Sequence, residues 1–211
     1  MPDATATVRP RFFFFVNGIL TVPEDQNDWN ARAVTWIESQ RFQFADRFEY
    51  FSDAVFRRLF QASRVAACEK ILANYIGFDI VLVGHSNGAD IICRLLAENL
   101  LKVSQVHLIS AAAEADFDKN GLNVALYSEK VGKVFLYGSH NDHALQAAQA
   151  TQWLAPLGLG YGSLGRTGPL NVAEGVAARV VQTWRDDFDH GSWFLPANFA
   201  ATMTAILEAS Q

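Results

Sequence analysis

Cysteine is scarce in this chain, positive charge is dilute, and long apolar runs are missing. The two cysteines, Cys68 and Cys93, both fall in stretches of helical composition and show no metal-ligand spacing. They read as small buried hydrophobes, so neither a disulfide framework nor a cysteine-bound metal is expected. Lysine and arginine total 17 against 22 acidic residues, a net charge of -5, and they are scattered rather than grouped. The basic footprint of a nucleic-acid-binding protein is therefore missing. Apolar runs break within about ten residues, well short of a bilayer span, so no integral membrane segment is expected. The nearest approach to an export signal is Arg9-Pro10-Arg11 followed by Phe12 to Val16, but Asn17-Gly18 interrupts it and no small-residue cleavage site follows. A cytoplasmic protein without internal repeats or linkers is the expectation.

What is present is enough for one substantial core. The chain has 211 residues, of which 50% are hydrophobic and 18% charged, which fits a single domain over 1–211. Phe12-Phe13-Phe14-Phe15-Val16 is an uninterrupted apolar run, as in a strand covered on both faces, and belongs in the middle of a sheet. Trp29, Ala33, Trp36 and Ile37 have helical spacing from about Asp28. A short, more polar strand is predicted at Phe48-Glu49-Tyr50-Phe51, nearer an edge. A long helix follows, with Phe56, Leu59, Phe60, Ala67 and Ile71 on its buried side, Arg57, Arg58, Gln61 and Arg64 outside, and Gly77 as its stop. Further strands are predicted at Asp79–Val83, Gln105–Ser110, Lys133–Tyr137 and Ala178–Trp184, with helices after the first and third of these and at the end of the chain. Alternating strands and helices imply an α/β fold: a mostly parallel sheet of about six strands with helices on both faces, a three-layer sandwich.

Ligand sites in such sheets lie at the carboxyl ends of the strands. The most informative stretch there is Gly84-His85-Ser86-Asn87-Gly88, which joins the strand ending at Val83 to the helix beginning near Ala89. A strand, tight turn and helix with serine between glycines is the pattern of a nucleophile elbow. An alcohol is a poor nucleophile at neutral pH and needs a base, for which His190, after the last strand, is the candidate. A carboxylate must fix the imidazole tautomer. Asp142, after the strand ending at Tyr137, is the first choice, with Asp116 as the alternative acid and Glu114 or Asp118 behind it. Developing negative charge needs preorganised donors, for which the backbone N–H groups of Asn87 and Ile19 are placed.

These features together resemble a small α/β-hydrolase: the elbow after its strand, the acid two strands on, the histidine after the last strand, and the order Ser, Asp, His. The resemblance covers nearly the whole chain and implies a minimal α/β-hydrolase core of about six strands, without the family's usual amino-terminal pair. Asn17-Gly18 stands where the family often has His-Gly. It further implies a serine hydrolase of the esterase or lipase-like kind, acting through an acyl-enzyme on a small-molecule or lipid-like ester and requiring no cofactor. A thioesterase, acyltransferase or peptidase would use the same residues, and a non-catalytic interaction protein is the competitor from another class. His85 is expected as a spacer packed beside the nucleophile. His140, Asp142 and His143 share one loop but lack a fourth ligand, so no metal is expected. The Gly-rich loop 156–169 contains a G-x-G-x-x-G string without the preceding strand that dinucleotide binding requires. It is expected instead as a flap, with Leu159, Tyr161 and Leu164 touching substrate.

Overall fold

The computed structural model of the chain describes residues 9–19, 28–40, 43–50, 60–98, 101–150 and 161–210. Six strands form one sheet: β1 (Arg11–Val16), β2 (Gln43–Phe48), β3 (Asp79–His85), β4 (Val103–Ile109), β5 (Val131–Gly138) and β6 (Val180–Trp184). Their order across the sheet is β2-β1-β3-β4-β5-β6, and every neighbouring pair is parallel. Parallel neighbours need crossovers, which the helices supply. They are α1 (Trp29–Glu38), α2 (Gln61–Leu72), α3 (Asn87–Glu98), α4 (Leu122–Tyr127), α5 (His143–Gln149), α6 (Leu164–Thr167), α7 (Glu174–Ala177) and α8 (Pro196–Ala209).

The phenylalanine run explains the three layers. Successive side chains of a strand point to opposite faces, and all of Phe12 to Phe15 are fully buried. Phe12 and Phe14 join the core under α2, α3 and α4. Phe13 and Phe15 join the core on the other face, with Trp29, Ala33 and Ile37 of α1 and Met203 and Ile206 of α8.

Two local expectations are corrected. The second strand is Gln43–Phe48 rather than Phe48–Phe51. It pairs with β1 from Arg11↔Gln43 to Val16↔Phe48, so Phe48 is where the strand ends. An edge strand covered by few neighbours tolerates Gln43, Asp46 and Arg47, which hid it from a reading by hydrophobicity. On α2 the buried side is the reverse of the one expected around its start: Phe60 is 57% exposed, whereas Gln61 and Arg64 are buried beside Val65, Cys68 and Leu72. Phe56, Arg57, Arg58 and Leu59 lie outside the described residues. Burial of Gln61 and Arg64 is compensated by hydrogen bonds. The Gln61 amide donates to Asp90 Oδ2 at 2.7 Å and to Asn87 Oδ1 at 3.3 Å, Arg64 donates to Gln61 Oε1 at 3.0 Å, and the Arg64 guanidinium stacks over the Tyr50 ring.

Candidate active site

The carboxyl edge of the sheet brings three sequence-distant turns together. At the end of β3, Ser86 has φ 54°, in the left-handed region that non-glycine residues rarely occupy. Such a conformation stores roughly 1–3 kcal/mol and persists only where the surroundings enforce it. Three backbone hydrogen bonds do so: Ser86 N–H to Ile109 O at 3.0 Å, and Ala89 N–H and Ala112 N–H to Ser86 O at 3.1 and 3.0 Å. The first turn of α3 is pressed onto β1, since a Cβ on Gly88 would overlap the carbonyls of Val16 and Asn17. Gly18 lies as close on the other side, where a Cβ would sit 2.8 Å from Ser86 Cβ.

After β5, Asp142 is fully buried, and both of its oxygens are engaged. Oδ1 accepts the Leu145 N–H at 2.8 Å as the N-cap of α5. Oδ2 lies 2.8 Å from His190 Nδ1. A carboxylate can only accept, so a neutral imidazole in this position carries its proton on Nδ1 and keeps the lone pair on Nε2. Ser86 and His190 share the wall of a cavity of about 280 Å³ with Ala112, Ala144, Leu145, Ala148 and Tyr161.

Asp116, the alternative acid, is occupied elsewhere. Its Oδ1 accepts the Asp118 N–H, its Oδ2 accepts Asn171 Nδ2 at 3.0 Å, and Lys119 lies 3.6 Å from Oδ2. Glu114 accepts the Asp116 N–H, and Asp118 accepts Asn123 Nδ2. These carboxylates hold the 114–123 segment together rather than contacting His190.

The turn carrying His190 is fastened to the turn carrying Asp142 along its length, which sequence reasoning missed. His140 pairs with Asp186 at 2.8 Å and His143 with Asp189 at 3.4 Å. Asn141 donates to Asp186 O at 2.7 Å, and Ser139 donates to Phe188 O at 2.6 Å. The backbone N–H and ring of His140 hold the Asp186 carboxyl below the usual carboxylate range. The only hint in the sequence was the complementary spacing of His140-x-x-His143 and Asp186-x-x-Asp189. His85 adds a strut from beneath. Its Nε2 lies 3.0 Å from the carbonyl of His190, and its ring meets those of Trp29 and Phe194 edge-on. Burial, reinforced by the neighbouring His190, pushes the His85 pKa down to about 3. A neutral His85 thus donates its Nε2–H to that carbonyl.

The expected flap divides in two. Residues 156–160, with Leu159, lie outside the described residues. From Gly162 onward the backbone is stitched to the segment after β4: Gly162, Leu164 and Gly165 N–H donate to Ala112, Ala113 and Ala111 O at 3.2, 3.1 and 2.9 Å. Leu164 is a core residue at 1% exposure rather than a substrate contact, while Tyr161 lines the cavity. The glycines here permit close backbone packing, because a Cβ on Gly162 or Gly165 would overlap the 110–114 backbone.

A six-stranded parallel sheet with helices on both faces makes this an α/β-hydrolase fold, with Ser86 in the turn after its third strand. Solved structures agree in fold. A protein of Agrobacterium vitis S4 that carries a provisional hydrolase name matches with a TM-score of 0.60 and 16% identity, over 96% of this chain and 88% of that one. Mouse alpha/beta hydrolase domain-containing protein 10 matches with a TM-score of 0.57 and 15% identity, over 94% and 89%. The Staphylococcus aureus fluorophosphonate-binding serine hydrolase FphF matches with a TM-score of 0.56 and 11% identity, over 99% and 87%. A search of curated protein sequences finds no match. Within the fold, the chain belongs to the serine hydrolase family, whose model matches residues 63–182.

Proposed function

We propose that the protein is a carboxylic ester hydrolase working as one catalytic domain, with Ser86 as nucleophile, His190 as base and Asp142 as the acid that orients it. The observation that carries this reading is the 2.8 Å contact of a fully buried Asp142 with His190 Nδ1, on a histidine that shares a cavity with the strained Ser86. His190 Nε2 takes the proton as Ser86 Oγ bonds to the substrate carbonyl carbon. The carbonyl π pair moves onto oxygen, and the resulting oxyanion is met by the N–H groups of Asn87 and Ile19. Collapse breaks the bond to the alkoxy oxygen, which leaves as an alcohol with the proton from Nε2. Water then gives its proton to Nε2 and attacks the acyl-enzyme; the second collapse returns that proton to Ser86 Oγ and releases the carboxylic acid. Asp142 stays ionised throughout and stabilises the imidazolium each time it forms.

The cavity wall supports an uncharged, apolar chain beside the scissile bond. Apart from Ser86 and His190 it consists of Ala112, Ala144, Leu145, Ala148 and Tyr161, with no acidic, lysine or arginine side chain among the described residues. Its volume of about 280 Å³ corresponds to about nine units of water or methylene size, so short to medium chains fit. A fluorophosphonate probe tests the assignment: wild type should be labelled on the peptide containing Ser86 and Ser86→Ala should not. Label that persists in Ser86→Ala would place the nucleophile elsewhere, and an unlabelled, folded wild type would favour the non-catalytic reading.

A further inference from the structure

The carboxyl end of β1 carries a buried amide that packing alone does not explain. Asn17 is fully buried, its Nδ2 donates to the carbonyl of Gly18 at 2.8 Å, and its Oδ1 has no hydrogen-bond partner among the described residues. The assignment of the two ends follows from chemistry, since only the nitrogen can donate to a carbonyl oxygen. An apolar side chain of similar volume would avoid the unsatisfied acceptor, which is costly in an interior. What the amide does make is a clamp on the peptide joining Gly18 to Ile19.

That peptide is trans, and in a planar trans peptide the C=O and N–H point to opposite edges. Holding the Gly18 carbonyl on a buried amide therefore fixes the Ile19 N–H on the opposite edge of the peptide. Gly18 is also the residue packed against Ser86, where a Cβ would lie 2.8 Å from Ser86 Cβ. We propose that Asn17 is a positioning residue, whose side-chain amide fixes the Ile19 N–H in the direction of the oxyanion formed at Ser86. The inference rests on the serine-hydrolase site described above. Without the clamp this peptide is free to rotate about its flanking dihedrals. The donor then has to be reoriented during the reaction, and preorganised stabilisation of the transition state is lost. None of Asn17, Gly18 and Ile19 is among the described residues lining the cavity.

Asn17→Leu removes the clamp together with the orphan acceptor at nearly constant volume, and Asn17→Ala carries the same test if leucine does not fit. On a p-nitrophenyl ester the expected result is a fall in kcat of about 10–100-fold, smaller than the ~10²–10³-fold of deleting a donor outright. KM should stay within about threefold, and the melting temperature within a few degrees of wild type, because the orphan Oδ1 is removed while the Gly18 carbonyl loses its donor. Affinity for a trifluoromethyl ketone, whose hemiketal oxyanion occupies the same place, should fall by the same factor as kcat/KM. A purely structural role would lower the melting temperature without that parallel loss. A folded variant with kcat within threefold of wild type, or with its loss confined to KM, overturns the clamp while leaving the Ser86 reading intact. Failure of the fluorophosphonate to label Ser86 in wild type overturns both.

Discussion

An Asp142→Asn substitution removes a proton acceptor while leaving nearly all of the structure around it in place. Asp142 uses Oδ1 to cap α5 through the Leu145 N–H and Oδ2 to hold His190. Asparagine is among the best N-cap residues, so the first contact survives. The second does not, because the new amide presents N–H groups to His190 Nδ1. The imidazole adapts by moving its proton to Nε2, the nitrogen that has to accept from Ser86. In the Ser-His-Asp template, the same exchange leaves geometry intact and lowers kcat by about 10⁴, or about 5 kcal/mol of barrier. Steady-state hydrolysis of a p-nitrophenyl ester should show a loss of about 10³–10⁴ in kcat, with a melting temperature within a few degrees of wild type. Asp142→Ala should lose as much activity and, with the cap gone, about a further 1 kcal/mol of stability. Asp116→Asn keeps the Ser86 and His190 neighbourhood untouched and should retain kcat within about threefold. The reasoning is refuted if Asp142→Asn keeps more than a tenth of wild-type kcat, or if Asp116→Asn is the variant that loses orders of magnitude.

Two further perturbations test the electrostatics and the cavity. His85 and His107 are pushed down to about 3 by burial, with the neighbouring His190 adding to the effect at His85, against about 6.5 in an unfolded chain. The folded state therefore binds fewer protons, and stability is full above about pH 6.5 and falls as the pH drops towards 3. At pH 5 each site costs about 2 kcal/mol. Urea unfolding should show the decline between pH 7 and 5, and His107→Gln should remove about half of it; an unchanged slope in that variant contradicts the assignment. Ala148→Phe adds bulk to a cavity of about 280 Å³. At about 0.8 kcal/mol per buried methylene, the octanoate-to-acetate ratio of kcat/KM should fall at least tenfold; a constant ratio would place the chain elsewhere.

The parts of the fold legible in the sequence were those where apolar content alone decides the element. Phe12 to Phe15 announce a strand covered on both faces, and all four are fully buried. Polar residues satisfied by distant partners were not legible. Gln61 and Arg64 look like a solvent face until Asn87, Asp90 and Tyr50 are brought to them, and Gln43–Phe48 looks like a loop until β1 is laid beside it. At the candidate site the strand-end rule brought Ser86, Asp142 and His190 into view. The sequence put Asp142 first but kept Asp116 as an alternative, because both follow strands. What separates them is a single contact across 48 residues of chain. The His140–Asp186 and His143–Asp189 pairs escaped notice for the same reason, each bridging 46 residues.

The central claim is a covalent acyl group on Ser86, and the direct measurement is to trap it. Wild-type protein is mixed with an excess of a p-nitrophenyl ester, quenched in acid within the first turnover, digested and mapped by mass spectrometry. The expected result is an acyl adduct on the peptide containing Ser86, formed with the burst of nitrophenolate and absent from Ser86→Ala. Steady turnover in Ser86→Ala, or an adduct on another residue in wild type, would contradict the claim.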